Sequence, residues 1–279
     1  MKTFLNLIKI KITVSVAIST TLGYVIATDG IDSGVLLPVL GLFIIACGSA
    51  ALNQYQERDF DAQMKRTSDR PIPSGKIKAN HALLLSLSML VIGSIILYLS
   101  SNFLALQLAV LTIIWYNAIY TPLKRKTAFA IIPGAIIGAL PPLVGYSVVT
   151  NNIANPEIIA VAFFFFMWQI PHFWLIFLMH HKDYEGAGFP SIAKLFGKKQ
   201  LSQITFLWTT ATAVCVMLLP VFGVIDSLTI TTLLTITAVG LVILFIKLLY
   251  KREIKLKPLF ISINVFLLVI NLLIMIDKF

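Results

Sequence analysis

Asn53, Glu57 and Asp61 stand four residues apart at the end of an apolar run. On a helix that spacing stacks an amide and two carboxylates along one face. Hard oxygen donors of this kind suit Mg²⁺, which takes one or two carboxylates and leaves room for phosphate oxygens. Asp59 lies off the face, within reach of Arg58, Lys65 or Arg66. Arg66 and Arg70 follow, and a guanidinium matches phosphate oxygens two at a time. Pro71, Pro73 and Gly75 then form a stiff turn that would pin them. Acidic groups beside a bilayer-depth segment are costly unless a cation meets them. A metal-bound phosphate is one such cation-bearing partner. A solvated polar loop that stops the helix sliding inward is the other reading, and spacing alone leaves both open.

Two further segments carry chemistry. Trp115 to Thr127 holds Tyr120, Lys124 and Arg125. It reads either as an interfacial anchor with a basic stop or as a diphosphate contact. Gly134, Gly138 and Gly145 follow, with Pro141-Pro142 between them. Small residues four apart allow close helix approach, and a double proline frees backbone groups, which points to a cavity. The second segment runs from Trp168 through Pro171, His172 and Trp174 to His180, His181, Asp183 and Glu185. His172 lies within an apolar run, where an ionisable residue is a functional candidate by default. A ring bonded to a carbonyl freed by Pro171 is the plainer alternative. Cys47 and Cys215 sit far apart in apolar runs and read as small core residues.

These groups need a hydrophobic scaffold, and the chain supplies one. Of 279 residues, 58% are hydrophobic and only 12% charged, against about 25% charged in soluble domains. Long unbroken apolar runs exclude a barrel, whose strands would alternate. Runs of spanning length fall at about 8–28, 35–55, 82–100, 103–121, 129–149, 156–180, 202–222, 228–249 and 258–277. The expected fold is therefore an all-α integral membrane protein of nine transmembrane helices enclosing an intramembrane cavity. It forms a single domain over residues 1–279, with functional loops at about 56–81 and 181–201. No cleavable signal peptide is expected, because the first apolar run continues to about Thr28 without a small-residue cleavage site.

Nine spans also sort the charges. All but one of the 22 basic residues fall on one side, the exception being Lys278. By the positive-inside rule that side is cytoplasmic, with the N-terminus inside. Both long loops, and both acidic clusters, lie there. The net charge of +10 is thus a matter of membrane orientation and does not argue for nucleic acid.

The residues now carry a resemblance. Asn53 to Asp61, with the tail Met64, Arg66, Thr67, Arg70 and Pro71, resembles the UbiA superfamily of intramembrane prenyltransferases. Tyr120 to Arg125, Gly138 to Leu143, Pro171 to Trp174 and Asp183 to Gly188 resemble its haem-using branch. The likeness spans nearly the whole chain. It implies that farnesyl diphosphate and protoheme IX (haem B) give haem O and diphosphate, in the cell's inner membrane. It also implies Mg²⁺ on Asn53, Glu57, Asp61 and Asp183, and cationic help from Arg66, Arg70, Lys124 and Arg125. Tyr120, Trp168 and Trp174 would stabilise an allylic cation, and His172 would contact haem. Haem A synthase or a terminal oxidase would use the product. One departure stands out: many members carry Asp-x-x-x-Asp in the second acidic loop, whereas Ala187 stands four residues after Asp183. Glu185 is the nearest substitute.

The competing readings separate on residues. A quinone-type aromatic prenyltransferase would share the diphosphate site but not Pro171-His172-Phe173-Trp174. A secondary transporter would place acids near the bilayer midplane, yet these cluster at one end. A structural subunit gives Asn53, Glu57 and Asp61 no reason to share a face.

Overall fold

In the computed structural model, which describes residues 1–250 and 255–279, the chain folds into helices and turns. A short α1 (Lys2–Leu7) lies ahead of α2 (Ile10–Thr28). Then come α3 (Leu36–Asp61), α4 (Ala79–Ser100) and α5 (Phe103–Ile113), which runs on through a π-helical stretch, Ile114–Tyr120, into α6 (Thr121–Leu123). The rest are α7 (Ile131–Thr150), α8 (Pro156–Gly186), α9 (Ile192–Leu195), α10 (Lys198–Cys215), α11 (Leu218–Val221), α12 (Leu228–Tyr250) and α13 (Leu256–Asp277). Among the described residues nine segments are long and apolar enough to cross a membrane, matching the nine apolar runs. Of the basic group after the eighth run, Lys251 and Arg252 lie outside the described residues.

Two helices outlast their apolar runs. α3 continues to Asp61 and α8 to Gly186, so Glu57, Asp61 and Asp183 stand on helices and not in loops. α8 bends at His180, whose φ of −121° and ψ of 18° leave the helical region. A helix in hydrocarbon satisfies its own backbone, so extending it costs less than opening a loop near the membrane edge.

Close packing of small residues builds the centre. A methyl added at Gly145 would lie 1.8 Å from the carbonyl oxygen of Thr20, and one at Gly23 would lie 2.0 Å from that of Pro142. Thus α2 and α7 meet backbone to backbone. Pro141 and Pro142 sit inside α7 without ending it, as neighbouring helices permit in membranes. Leu22, Ile158, Phe164, Leu175, Leu219, Phe245 and Ile270 form the fully buried core. At the end away from the site, Lys278 Nζ lies 3.0 Å from Asp29 and 3.7 Å from Asp226. Both aspartates are mostly exposed, so these pairs fix position more than they stabilise.

Candidate active site

Asn53, Glu57 and Asp61 are 1%, 4% and 0% exposed and share the buried face of α3. Asp59 turns away to pair with Arg58 at 3.7 Å. Each member of the buried row meets a cation. Lys9 Nζ donates to Asn53 Oδ1 at 2.6 Å. Lys124 forms an ion pair with Glu57, and Arg70 Nη1 donates to Asp61 Oδ2 at 2.7 Å. Buried charges must be paired, so the row and its cations imply one another. Asp61 Oδ1 keeps no partner although buried. A free, buried carboxylate oxygen beside a second carboxylate and an amide is a donor set that fits a hard divalent cation.

The turn after α3 is shaped to deliver Arg70. Thr67 Oγ1 donates to the Asp61 carbonyl at 3.0 Å, and the Ile77 N–H to that of Pro71 at 3.0 Å. Gly75 takes a left-handed φ of 73°, which a glycine adopts without strain. Arg66 reaches across to α8, donating to the Tyr184 hydroxyl at 3.2 Å. Arg125 donates to the Gln56 carbonyl at 2.7 Å and lies over the Phe60 ring. It braces α3 from the side, apart from Lys9 and the two ion-paired cations, Arg70 and Lys124.

The π-helical stretch aims the aromatic floor. Pro122 has no N–H to return to the preceding turn, and Thr121 Oγ1 donates to the Tyr116 carbonyl at 2.9 Å. π-turns within helices gather at functional sites. Here the widened turn stacks Tyr116 on Tyr120 (ring centroids 6.1 Å apart) and Tyr120 on Phe173 (5.8 Å, planes within 5°). Gly134 leaves room: a methyl there would stand 2.5 Å from the Tyr120 ring. Lys124 Nζ lies 5.6 Å from the centre of that ring. Asn53 Nδ2 donates to Thr121 Oγ1 at 2.9 Å, tying the row to this floor.

The remaining expected residues divide. His172 lies deeper on α8, packed on Trp168 (4.7 Å) and Phe260 (5.1 Å), with Nδ1 buried and unpartnered. Trp168 donates to the Ile263 carbonyl at 2.8 Å, so its ring is fixed. Trp174 packs with Phe177 and Tyr184 in a cluster that Phe173 also touches, and its Nε1 is buried without a partner. Asp183 is half-buried near the end of α8. Among the described residues no three His, Cys, Asp or Glu side chains converge on one point, so Asp183 stands apart from Glu57 and Asp61.

Sequence reasoning missed Lys9, Tyr116 and Phe173. Lys9 precedes the first span and looks like any interfacial lysine; its backbone is left-handed, φ 51°, which turns its side chain to Asn53. Burial, with help from the Arg70 charge, pushes its ammonium down to about 7. Phe173 was hidden within an apolar aromatic run, and nothing in its spacing set it apart from its aromatic neighbours.

The UbiA prenyltransferase family matches residues 16–270. A Nitratidesulfovibrio vulgaris (strain DP4) protein named Protoheme IX farnesyltransferase is 33% identical over 247 residues, covering 88% of this chain and 85% of its own. A Geobacter sulfurreducens protein of the same name is 37% identical over 206 residues, covering 74% and 76%. The solved structure of a UbiA homolog from Archaeoglobus fulgidus, bound to DMAPP and Mg²⁺, superposes with a TM-score of 0.71 at 15% identity, over 97% of this chain and 98% of that one. The chain belongs to the UbiA prenyltransferase family.

Proposed function

We propose that this protein transfers a farnesyl group from farnesyl diphosphate to a vinyl group of protoheme IX, giving haem O and diphosphate. The observation that carries the reaction type is the buried row Asn53, Glu57 and Asp61, ringed by Lys9, Arg70 and Lys124 and set beside the stack of Tyr116, Tyr120 and Phe173. The acceptor rests on the relatives named Protoheme IX farnesyltransferase.

Asn53, Glu57 and Asp61 would hold Mg²⁺, and Asp183, apart from them on α8, would add its carboxylate at the rim of the site; when bound, the ion neutralises diphosphate charge. Lys9, Arg70 and Lys124 exchange their protein partners for phosphate oxygens, and Arg66 and Arg125 add positive charge from the flanks. As the C–O bond breaks, its electron pair leaves with diphosphate, and these cations stabilise the charge that grows there. The allylic cation left behind is sheltered from water by the apolar helices. The faces of Tyr120 and Phe173 stabilise it, as aromatic rings do for cations; Trp168 and Trp174 support the acceptor side. His172 contacts haem. By the positive-inside rule this end faces the cytoplasm of a cell whose inner membrane holds the protein, and haem O would pass to haem A synthase or a terminal oxidase. The farnesyl chain gains about 0.8 kcal/mol per buried CH₂ in the bilayer, which explains the location of the chemistry.

Purified protein given farnesyl diphosphate, Mg²⁺ and haem B is expected to yield farnesylated, hydroxylated haem by mass spectrometry, with His172→Ala lowering haem affinity and turnover together. Product with 4-hydroxybenzoate but none with haem would transfer the assignment to the quinone branch.

Lys9 adds a pH dependence. Below pH 7 its ammonium is already charged, and diphosphate binds at full strength. Above pH 7 it is neutral in the free protein and must take up a proton as the anion binds, so affinity falls as pH rises. Titration of farnesyl diphosphate affinity against pH should show this decline, and Lys9→Met should flatten it; identical slopes would remove Lys9 from the diphosphate contact.

A further inference from the structure

Formation of haem O adds water as well as a farnesyl group, so an apolar chamber must hold one water at the right place. We propose that Gln169 positions this water; the inference rests on the haem reading above. Gln169 lies on α8 within a membrane span, half-buried, and its amide finds no partner among the described residues. An amide in hydrocarbon without a partner costs several kcal/mol on alkane scales, roughly 4–8, so a polar occupant beside it is expected.

Its position is specific. A methyl added at Gly138 would lie 2.6 Å from Gln169 Oε1, so the missing Cβ of Gly138 makes space for this oxygen. Gly134, one turn earlier on α7, makes the same kind of space for Tyr120. Tyr120 stacks on Phe173, four residues after Gln169 on α8. The amide therefore lies one helical turn beyond the aromatic floor, on the far side from the diphosphate row. His172 is three residues from Gln169, and residues so spaced are neighbours on a helix surface. Its Nδ1 is buried and unpartnered. A buried water needs two to four polar partners, and the Gln169 carboxamide offers two, Oε1 as acceptor and Nε2 as donor.

The step balances as follows. The terminal vinyl carbon forms a bond to C1 of the farnesyl cation with its π electrons, which leaves a cation on the carbon next to the porphyrin ring. The water held by Gln169 donates a lone pair to that carbon, forming the C–O bond. Its surplus proton passes to the His172 imidazole. Without the held water, the same cation loses a proton from the adjacent carbon and becomes an alkene, lighter by one water.

The test reads the ratio of hydroxylated to dehydrated farnesyl haem by mass spectrometry, with ¹⁸O-labelled water to mark the hydroxyl. Loss of a hydrogen-bonding partner is expected to shift this ratio about tenfold toward the alkene in Gln169→Leu. Gln169→Glu, which keeps an acceptor oxygen, should restore the hydroxylated product. Gly138→Ala, which pushes Oε1 aside, should shift the ratio in the same direction as the leucine variant and serves if that variant does not accumulate. A purely packing role would lower total product at constant ratio. An unchanged ratio in Gln169→Leu, or in Gly138→Ala where the leucine variant is not recovered, overturns the proposal. Wild-type protein that makes no farnesylated haem overturns the haem reading, and this inference with it.

Discussion

Asp61→Asn protein inserts into the membrane normally but transfers farnesyl groups roughly 10²- to 10³-fold more slowly than wild type, the cost of removing one preorganised electrostatic contact in a transition state. The substitution is nearly isosteric, so packing around this fully buried residue is kept. Its backbone carbonyl still accepts from Thr67, and the turn that carries Arg70 keeps its anchor. What disappears is the charge that holds Arg70 and that would bind the metal. Arg70 is 23% exposed, so its guanidinium can turn to water, and the fold survives. The measurement is product formed per mole of protein whose topology is verified by protease protection. A rate close to wild type would remove Asp61 from the reaction.

Gly145→Ala acts on the scaffold. The added methyl would stand 1.8 Å from a backbone oxygen of α2, and neither helix can answer by rotating a side chain. Overpacking a core costs about 1–3 kcal/mol where side chains can adjust; a backbone clash belongs at or above the top of that range. As α2 is forced away, Lys9 at its start is drawn off Asn53, and farnesyl transfer falls with stability. Gly240 is the control: nothing lies within 4 Å of its added methyl, and alanine in a helix interior gains about 0.5–1 kcal/mol over glycine. Thermal unfolding in detergent should therefore lower the midpoint for Gly145→Ala and hold or raise it for Gly240→Ala. Equal midpoints would mean that α2 and α7 are not joined through this contact.

Much of this architecture was legible because hydrocarbon imposes length and side. A 20-residue apolar run has one solution, and the basic residues sort themselves by membrane face. The row at Asn53, Glu57 and Asp61 was legible for a similar reason: a four-residue spacing survives as a helix face whatever the helix packs against. The cations that meet the row were only partly legible. Arg70 and Lys124 lie in conspicuous motifs, but Lys9 reaches Asn53 through a left-handed backbone that no composition reveals. Trp174 and Phe173 show the opposite limit. They are adjacent aromatics on a proline-containing helix, and which of them faces the site depends on rotation about α8, which is set by its neighbours. The ends of α3 and α8 were underestimated because hydropathy marks where a bilayer stops, while hydrogen bonding decides where a helix does.

The widened turn at Ile114–Tyr120 has a consequence of frame. A π-turn holds about one more residue than an α-turn, so the chain beyond it is set back by about 100° around the helix axis relative to a regular α-helix. Tyr120 meets Phe173 and Lys124 meets Glu57 in this set-back frame. The stretch behaves as a one-residue insertion absorbed within the helix. Point substitutions that keep the count leave the setting alone, whereas loss of a single residue there would swing tyrosine and lysine away together. The distance from diphosphate cation to aromatic floor is thus governed by a count of residues, and the two halves of the site move as one.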